Sequence, residues 1–410
     1  MYLYLDHSAS SPMLLQVQEV YLKSIRDLYE QPGNPSALHK GGLLSRDKLE
    51  KAREDIAHIF AIKPSEVLFT SGGTESDNLG FVSVARKVKE KTGRKIAITT
   101  AIEHPAILSS EAILKKFGID LIKIPVLNTG VIDIDAFKKI LEENYGEISV
   151  ISIGLVNNET GVIQPVKDLV ELVRDFESSV LQSERENLDK KKQGDRIYIH
   201  TDAVQAFGNI EVDFKDLGVD ALSISGHKIG APVGIGILLA KQDLPMLGLY
   251  AGGGQERGIR SGTIDICGAI AISKACIYNV QTLSERIEKY ATFKKKIIEN
   301  LPEGIKPSTS GDSSPHILHL VCQYGGADAM LFALDNADIC VSAGSACRAG
   351  VAQSSYVLQA MGYDDIFSSG GLRISFGHTT VMEDIDKFIN ALPNAVKSAR
   401  MLQNVRDKHS

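Results

Sequence analysis

The feature that most constrains the fold is an alternation of short apolar segments with helical segments between residues 65 and 240. Most gaps between the apolar segments show helical spacing, as in "DIDAFKKILEEN". Each segment is almost continuously hydrophobic, as expected of parallel strands that are buried on both faces. The predicted strands are 67–70, 95–100, 120–125, 150–156, 196–200, 221–225 and 235–240. The pattern therefore predicts an α/β protein with a mainly parallel seven-stranded sheet sandwiched by helices.

The character of the sequence changes after the glycine-rich segment "AGGGQERGIRSG". A long helical stretch, from about 265 to 299, precedes three further strand candidates, "HILHLVCQ", "DICVSA" and "LRISFG", which are separated by helices. This arrangement predicts a smaller α+β domain towards the C-terminus. We expect a large domain at 15–263 and a small domain formed by 1–14 together with 264–410.

Composition and charge exclude several classes of protein. The chain has 410 residues, of which 43% are hydrophobic and 23% are charged, as in ordinary soluble proteins. The net charge of -6 argues against a direct nucleic-acid or anionic membrane surface. The first residues, "MYLYLDHSAS", do not resemble a secretory signal, and no apolar run reaches the roughly 18 residues that a membrane helix needs. We therefore expect a cytoplasmic protein.

The cysteines suggest one reactive thiol rather than a disulfide framework or a metal site. Their number is odd, no C-x-x-C pair occurs, and most are expected to be buried. Cys347 differs because it lies in "VSAGSACRAGVAQSS", where small and polar residues bury little surface. The neighbouring Arg348 favours the reactive thiolate. Cys347 is therefore the candidate catalytic cysteine.

The segment 177–195, "ESSVLQSERENLDKKKQGD", lengthens a helix-to-strand connection beyond the usual few residues. It could be a docking arm for a partner. Its charge density fits better with a solvated helical extension or an insertion.

A glycine pair follows the first predicted strand, in "VLFTSGGTESDN". Gly72 and Gly73 permit a tight turn before a helix that is expected to begin near Thr74. Backbone N–H groups at a helix start attract a phosphate, and the Thr74 hydroxyl adds a donor. The G-K-[ST] element of a nucleotide-binding loop is missing. Taken alone, the segment fits better with an ordinary strand–turn–helix that has a threonine cap.

Three other predicted strands run into polar side chains. "RIYIHTDAVQ" ends on Asp202, and Gln205 follows one helical turn later. "ALSISGHKIGAP" runs into Lys228, and "KIAITT" is followed by His104. The carboxyl ends of parallel strands share one edge of the sheet, where ligands usually bind. Individually these residues could be a solvated carboxylate, a surface lysine and a structural histidine.

Together, a phosphate cradle, a strand-end aspartate and a strand-end lysine meet the needs of pyridoxal 5′-phosphate (PLP). The aldehyde would bond Lys228, and the pyridine nitrogen would pair with Asp202. His104 could stack on the ring and exchange protons near neutral pH. A dry, cation-lined site lowers the pKa of a lysine and makes it nucleophilic. The phosphate would be held by Thr74, Ser225 and His227.

These segments resemble the cysteine desulfurases of the NifS/IscS type, a branch of the fold-type I PLP enzymes in the class V aminotransferase group. The likeness covers nearly the whole chain and follows the family order. Its segments are "YLDHSASS", "GNPSALHKGG", "FTSGGTESDN", "EHPAIL", "NNETGVIQP", "HTDAVQ", "SGHK", "GGGQERGIRSGT", "SAGSAC" and "LRISFG". Together they are far more specific than any one of them alone.

The resemblance implies a role for each matching residue. Lys228 bonds the cofactor, Gln205 bonds its phenolic oxygen, and Cys347 forms the persulfide. Asn158 and Arg373 hold the substrate carboxylate, for which a guanidinium is suited by its paired N–H donors. The residues that the resemblance places at the cofactor are Gly73, Thr74, His104, Asp202, Gln205, Ser225, His227 and Lys228, with Thr263 reaching the phosphate of a neighbouring subunit.

The implied reaction converts L-cysteine to L-alanine within a homodimer, and the sulfur passes from Cys347 to an acceptor protein. The acceptor remains open between iron–sulfur cluster assembly and thiolation. Selenocysteine lyase, another class V lyase or transaminase, and an inactive PLP-binding scaffold are the alternatives. Departures from the family pattern occur at His7, Ser10, Ser11, Arg348 and His378.

Overall fold

The computed structural model describes residues 2–186, 196–343 and 354–407. Residues 187–195 and 344–353 lie outside the described ranges. The first of these segments contains most of the charged end of the 177–195 insertion. The strands of the described residues are β1 Leu3–Tyr4, β2 Val67–Thr70, β3 Ile96–Thr100, β4 Asp120–Ile124, β5 Ile148–Ser152, β6 Tyr198–Asp202, β7 Ala221–Ser225, β8 Gly236–Ala240, β9 Ile305–Pro307, β10 Ile317–Cys322, β11 Ile339–Cys340 and β12 Gly371–Ser375.

The helices lie mostly between these strands. They are α1 Leu15–Glu30, α2 Lys40–Ile59, α3 Gly73–Asp77, α4 Val84–Thr92, α5 Pro105–Leu108, α6 Glu111–Lys116, α7 Ile134–Asn144, α8 Val166–Glu186, α9 Phe214–Leu217, α10 Ile266–Gln281, α11 Leu283–Glu299, α12 Ala327–Asp335, α13 Tyr356–Ala360, α14 Asp365–Ser368 and α15 Met382–Asp407. A π-helical segment, Asn78–Ser83, joins α3 to α4.

All seven predicted strands form one sheet, in the order β2-β8-β7-β6-β5-β3-β4. Only β8 runs antiparallel to its neighbours, so the sheet is mainly parallel. Alternate strand residues enter different apolar clusters: Phe69 and Ile98 face one side, and Leu68 and Ala97 face the other. Helices cover both faces, and the predicted α/β fold is confirmed.

One strand begins and ends earlier than its sequence predicts. The apolar run 150–156 suggested a strand that continues to Val156, whereas β5 is Ile148–Ser152. Beyond Ser152 the Gly154 N–H donates to the Glu103 carboxylate, at 2.9 and 3.0 Å, rather than to a strand. On the β3 side a side chain thus takes the place of the next strand, which hydropathy cannot reveal, whereas Ile153 N and Leu155 N still donate to the β6 carbonyls of His200 and Asp202 at 3.1 and 2.9 Å.

A second core lies beside the first. It surrounds the antiparallel sheet β12-β10-β9 and the parallel pair of β1 and β11. Leu3 and Leu5 lie in this core with Phe293 and Phe388, whereas Leu14 lies in the first core. Helix α10 packs into the first core instead, through residues such as Ile272, although the proposed boundary lies before it.

The predicted helical stretch 265–299 consists of two helices, α10 and α11, which bend by 69° at Thr282. The Thr282 hydroxyl donates to the Tyr278 carbonyl at 2.9 Å, and Arg286 donates to the Asn279 carbonyl at 2.9 Å. Side chains therefore donate hydrogen bonds to backbone carbonyls at the end of α10. Within the described ranges, no single helix is long and apolar enough to cross a membrane, and only this bent pair passes that test of length and composition.

Candidate active site

The site lies where several strands of the main sheet end. Strands β2, β3, β6 and β7 end at Thr70, Thr100, Asp202 and Ser225, and each is followed by polar residues. These ends share one edge because the four strands point the same way. Parallel strands thus bring together groups as far apart in sequence as Thr70 and Ser225, at the edge where α/β proteins bind ligands.

A cavity of about 440 Å³ opens at this edge. Ten predicted site residues line it: Gly73, Thr74, His104, Asn158, Asp202, Gln205, Ser225, His227, Lys228 and Arg373. Arg373 belongs to β12 in the second core, whereas Lys228 follows β7 of the main sheet. The cavity is therefore built from both cores.

Lys228 is anchored to the N-terminal segment. Its Nζ donates to the backbone carbonyls of Ser8 and, at 2.8 Å, Ala9. Burial, with a contribution from the positive charge of Arg373, lowers the pKa of Lys228 to about 8. A substantial fraction of this amine is therefore neutral near neutral pH, as a nucleophile or base requires.

Two carboxyl groups, those of Asp77 and Asp202, line the cavity. Asp202 Oδ1 accepts a hydrogen bond from Val204 N at 2.8 Å, and burial raises the pKa of Asp202 while His104 and Lys228 oppose that change. Asp77 is 1% exposed, and its Oδ1 has no hydrogen-bond partner. Burial, reinforced by the charge of Asp202, raises the pKa of Asp77 well above its ordinary value. The negative charge of this pair is thus expected to reside mainly on Asp202.

His104 precedes the short helix α5 and acts as its cap. The Nδ1 atom accepts a hydrogen bond from Ala106 N at 3.1 Å, which leaves Nε2 to carry the proton of the neutral ring. Burial lowers the pKa of His104, and Lys228 adds to that effect whereas Asp202 opposes it. A neutral ring in the cavity wall is suited to stacking on a flat heterocycle.

Glycine and hydroxyl groups form the opposite wall. Helix α3 begins at Gly73, and a Cβ added there would lie 2.8 Å from Val204 Cγ2 and 3.3 Å from Ser225 Cβ. Glycine therefore permits the helix start to lie close to Ser225. The Nδ1 atom of His227 lies 3.3 Å from Ser10 Oγ, and burial lowers the pKa of His227 to about 4.

Arg373 is held by both parts of the chain. Its Nη2 pairs with Asp6 Oδ1 at 2.8 Å, and its Nη1 donates to the main-chain oxygen of Asn158 at 2.7 Å. The Nε atom is buried and has no partner. The guanidinium is thus fixed in place with N–H groups to spare for an anion, and Asn158 contributes its backbone to that arrangement.

The sequence reasoning missed two buried glutamates in the wall. Glu103 accepts from Thr100 Oγ1 at 2.6 Å, and Glu159 accepts from Ser355 Oγ at 2.6 Å. Burial raises the pKa of both Glu103 and Glu159 to about 7. Their positions inside "EHPAIL" and "NNETG", beside residues already singled out, were the available signal.

Two predicted site residues are not among the described residues that line this cavity. Thr263 is exposed and does not line it. The glycine-rich segment before Thr263 is nevertheless attached to the site, because Arg260 Nε pairs with Glu75 Oε1 at 3.0 Å. Cys347, with Arg348, lies outside the described residues. Ser342 and Tyr356, which lie on either side of the segment 344–353, line the cavity.

The burial of the other cysteines agrees with the expectation that most of the cysteines are buried. Cys267, Cys276 and Cys322 are buried, Cys340 is half-buried, and all four are free thiols. In the ranges that the structure describes, no cluster of histidine, cysteine, aspartate and glutamate is suited to hold a metal ion.

Comparisons with known proteins agree with this architecture. The family model described as aminotransferase class-V matches residues 3–388. An IscS-like cysteine desulfurase of Mycobacterium tuberculosis is 36% identical over 405 residues, which cover 97% of this chain and 97% of the relative. The chain therefore belongs to the class V aminotransferase family, in its IscS-like cysteine desulfurase branch.

Solved structures give the same picture. A NifS-like protein superposes with a TM-score of 0.84 at 30% identity and covers 97% of this chain and 100% of its own. The structure of SspA in complex with cysteine superposes with a TM-score of 0.75 at 28% identity, covering 92% and 99% respectively. The fold is thus that of the NifS-like, fold-type I enzymes.

Proposed function

We propose that this protein is a PLP-dependent cysteine desulfurase, which converts L-cysteine to L-alanine and holds the released sulfur as a persulfide on Cys347. The observation that carries the proposal is the meeting of the Lys228 amine, the Asp202 carboxylate and the Arg373 guanidinium in one cavity. The family to which the chain belongs, and the names of its relatives, support the same activity.

The residues of the cavity fit PLP. The start of α3 at Gly73 lies close to Ser225, and Gly73, Thr74, Ser225 and His227 all line the cavity, so a helix start and hydroxyl groups suited to a phosphate are close together. Ser8 Oγ and Asp77 Oδ1 are buried without hydrogen-bond partners, which is a feature of walls that bind polar groups. Asp202 lines the same cavity, where it can accept a hydrogen bond from a ring nitrogen.

When bound, PLP supplies an aldehyde for amines and a protonated ring that accepts electron density from the substrate Cα. Lys228 is the base for the Cα proton, since its lowered pKa leaves it largely able to accept a proton near pH 8. The carbonyls of Ser8 and Ala9 orient its Nζ. His104 provides a neutral ring surface beside it.

Arg373 is proposed to bind the carboxylate of L-cysteine. Its guanidinium is fixed by Asp6 and by the Asn158 carbonyl, so little conformational entropy is lost when an anion binds. Bidentate pairing would then orient the sulfur of the substrate relative to Lys228. That SspA has been solved with cysteine supports this choice of substrate.

Cys347 is proposed as the nucleophile, although it lies outside the described residues. Its thiolate would attack the substrate sulfur, forming an S–S bond as the substrate C–S bond breaks. The electron pair of the C–S bond stays with carbon, which takes up a proton and leaves as alanine. The sulfur acceptor would be a protein of iron–sulfur cluster assembly or of thiolation, in the cytoplasm, where thiols remain reduced.

A homodimer is also proposed. Leu15, Leu22, Ile25 and Tyr29 are exposed on α1, and their spacing of seven, three and four residues places them on one face. An apolar face of this kind is typical of an interface. In such a dimer the exposed Thr263 would reach the phosphate in the neighbouring cavity.

The proposal is tested by incubating the purified, PLP-loaded protein with L-cysteine and a reductant. We expect equal amounts of alanine and sulfide. The Cys347→Ala variant should lose both while keeping the yellow absorbance of bound PLP. Cys340→Ala, which alters a half-buried thiol near the same segment, is the matched control and should retain activity.

The alternatives give different results. Turnover that survives Cys347→Ala would contradict persulfide chemistry, and faster turnover of selenocysteine without Cys347 would identify a selenocysteine lyase. Transamination without release of sulfur would identify a transaminase. No turnover in the yellow protein would identify a scaffold.

A further inference from the structure

A buried chain of hydrogen bonds joins the second core to Gln205. Ser314 Oγ lies 2.6 Å from His316 Nδ1, and His316 Nε2 lies 3.3 Å from Gln205 Oε1. Gln205 Nε2 then donates to the Ser8 carbonyl at 2.9 Å. Ser314, His316 and Gln205 are 0%, 2% and 6% exposed, so bulk water cannot substitute for any of these partners.

The chemistry of the partners fixes the direction of every bond. The Ser8 carbonyl can only accept, so the nitrogen of the Gln205 amide must face it. The amide oxygen therefore faces His316, whose Nε2 must carry the hydrogen. The Nδ1 atom then accepts from the Ser314 hydroxyl. Each group has one arrangement in which it is satisfied.

The electrostatic surroundings keep His316 neutral. Burial lowers the pKa of His316 well below its ordinary value, and the charges of Lys294, Arg286 and Arg373 add to that effect. A neutral imidazole has one donor and one acceptor, as this chain of bonds requires. The Nε2–H tautomer is thus the stable form.

Gln205 also lines the cavity. One hydrogen of its amide nitrogen goes to Ser8, whose carbonyl also accepts from Lys228, and the second hydrogen remains for a ligand. An amide that is free to rotate would present oxygen and nitrogen in turn. An amide that is held by His316 presents only a donor.

We propose that His316 is a positioning residue for the cofactor: its Nε2–H holds the Gln205 amide so that nitrogen, not oxygen, meets the phenolic oxygen of PLP. This inference rests on the proposed function. A fixed donor stabilises that oxygen in its ionised form. Without the donor, the phenolic oxygen would keep more negative charge. The nitrogen that links Lys228 to the cofactor lies next to this oxygen, and it would then hold its proton more strongly, so its pKa would rise.

The test is a pH titration of the visible absorbance of the PLP-loaded protein without substrate. In His316→Phe, which keeps a ring but removes the donor, we expect the midpoint to rise by about half to one pH unit, the equivalent of one hydrogen bond. His316→Gln places an amide N–H near the former Nε2 and should restore the midpoint. Ser314→Ala, a smaller change, should shift it in the same direction as His316→Phe.

His319→Phe is the matched control, because it removes another buried histidine from the same region without touching this chain of bonds. Its midpoint should stay that of the unmodified protein. An unchanged midpoint in both His316→Phe and Ser314→Ala would overturn the inference, as would a His316→Gln variant that behaves like His316→Phe. A protein that develops no yellow band with PLP would instead overturn the proposed function.

Discussion

At the scale of single residues, the surroundings of Lys228 decide its chemistry. Burial, together with the positive charge of Arg373, lowers its pKa to about 8, although Asp6 and Asp202 act in the opposite direction. Asp6 and Arg373 are themselves an ion pair at 2.8 Å. Changing either partner therefore exposes Lys228 to the uncompensated charge of the other.

This balance predicts how the apoprotein takes up PLP. Bond formation needs the neutral amine, so the uptake rate should rise with pH and level off above about 8. Asp6→Asn removes a negative charge that favours the ammonium form, so the midpoint of the pH dependence of the uptake rate should fall. Arg373→Gln removes a positive charge, and the midpoint should rise. We expect roughly half a pH unit in each direction, measured by stopped-flow absorbance.

Asp135→Asn, on the exposed surface of α7, provides the control and should not move the midpoint. Shifts of the same sign in the Asp6 and Arg373 variants would contradict the electrostatic account. A midpoint near the ordinary value for lysine would show that burial does not act on this amine.

At the scale of elements, the junction of β2 and α3 shapes the phosphate corner. Gly72 has a φ of +152°, in a region that L side chains rarely adopt, and α3 begins directly after it. Glu75 Oε2 accepts from Ser71 N at 2.6 Å and its other oxygen pairs with Arg260. The helix start is thus held by its own turn and by the glycine-rich segment.

Gly73→Ala should weaken cofactor binding. The new methyl would meet Val204 Cγ2 at 2.8 Å and would push against Ser225. Loss of one well-formed phosphate hydrogen bond costs about 1.4 kcal/mol or more, so the Kd for PLP should rise about tenfold or more. Equilibrium titration of the apoprotein with PLP measures it.

Gly146→Ala is the control, because a methyl there meets no heavy atom within 4 Å. Its affinity for PLP should be unchanged. Equal affinities in the Gly73 and Gly146 variants would exclude a phosphate role for the start of α3.

At the scale of the whole molecule, the active site needs both cores. Lys228 and Asp202 come from the main sheet, whereas Arg373 comes from β12 of the second core. The N-terminal segment joins them, because Asp6 pairs with Arg373 and the Ser8 carbonyl accepts from Lys228. The proposed dimer would add Thr263 of a second copy to each cavity.

The double substitution Leu22→Asp with Tyr29→Asp tests that dimer. Charges on the exposed apolar face of α1 should convert a dimer to monomers, as measured by light scattering. The monomeric variant should also retain less PLP, because Thr263 would no longer reach the phosphate in the neighbouring subunit. Val405→Asp, at an exposed apolar position of α15, should leave the mass unchanged. A monomeric unmodified protein would contradict the dimer directly.

Periodicity and strand-end chemistry predicted much of this protein. The seven strands were recognisable because parallel strands buried on both faces are continuously apolar. Lys228, Asp202 and His104 were recognisable because each lies at the end of such a strand or just after it. The end of β5 was misplaced, since the Gly154 N–H donates to the Glu103 carboxylate, which comes from a loop 51 residues earlier in the chain, rather than to a neighbouring strand. The break at Thr282 was missed because it depends on side-chain bonds to carbonyls, without glycine or proline.

The sequence by itself determined the order of the strands along the chain, the polar groups at their ends and the family. Those properties depend on neighbours in the chain. Only the tertiary structure decided that Asp6 braces Arg373, that Glu159 holds Ser355 and that His316 orients Gln205. These pairs are more than 100 residues apart, and their geometry depends on how two cores pack. Packing of that kind leaves no periodic signature, because it follows from the shape and hydrogen-bonding capacity of surfaces that form only when the chain has folded.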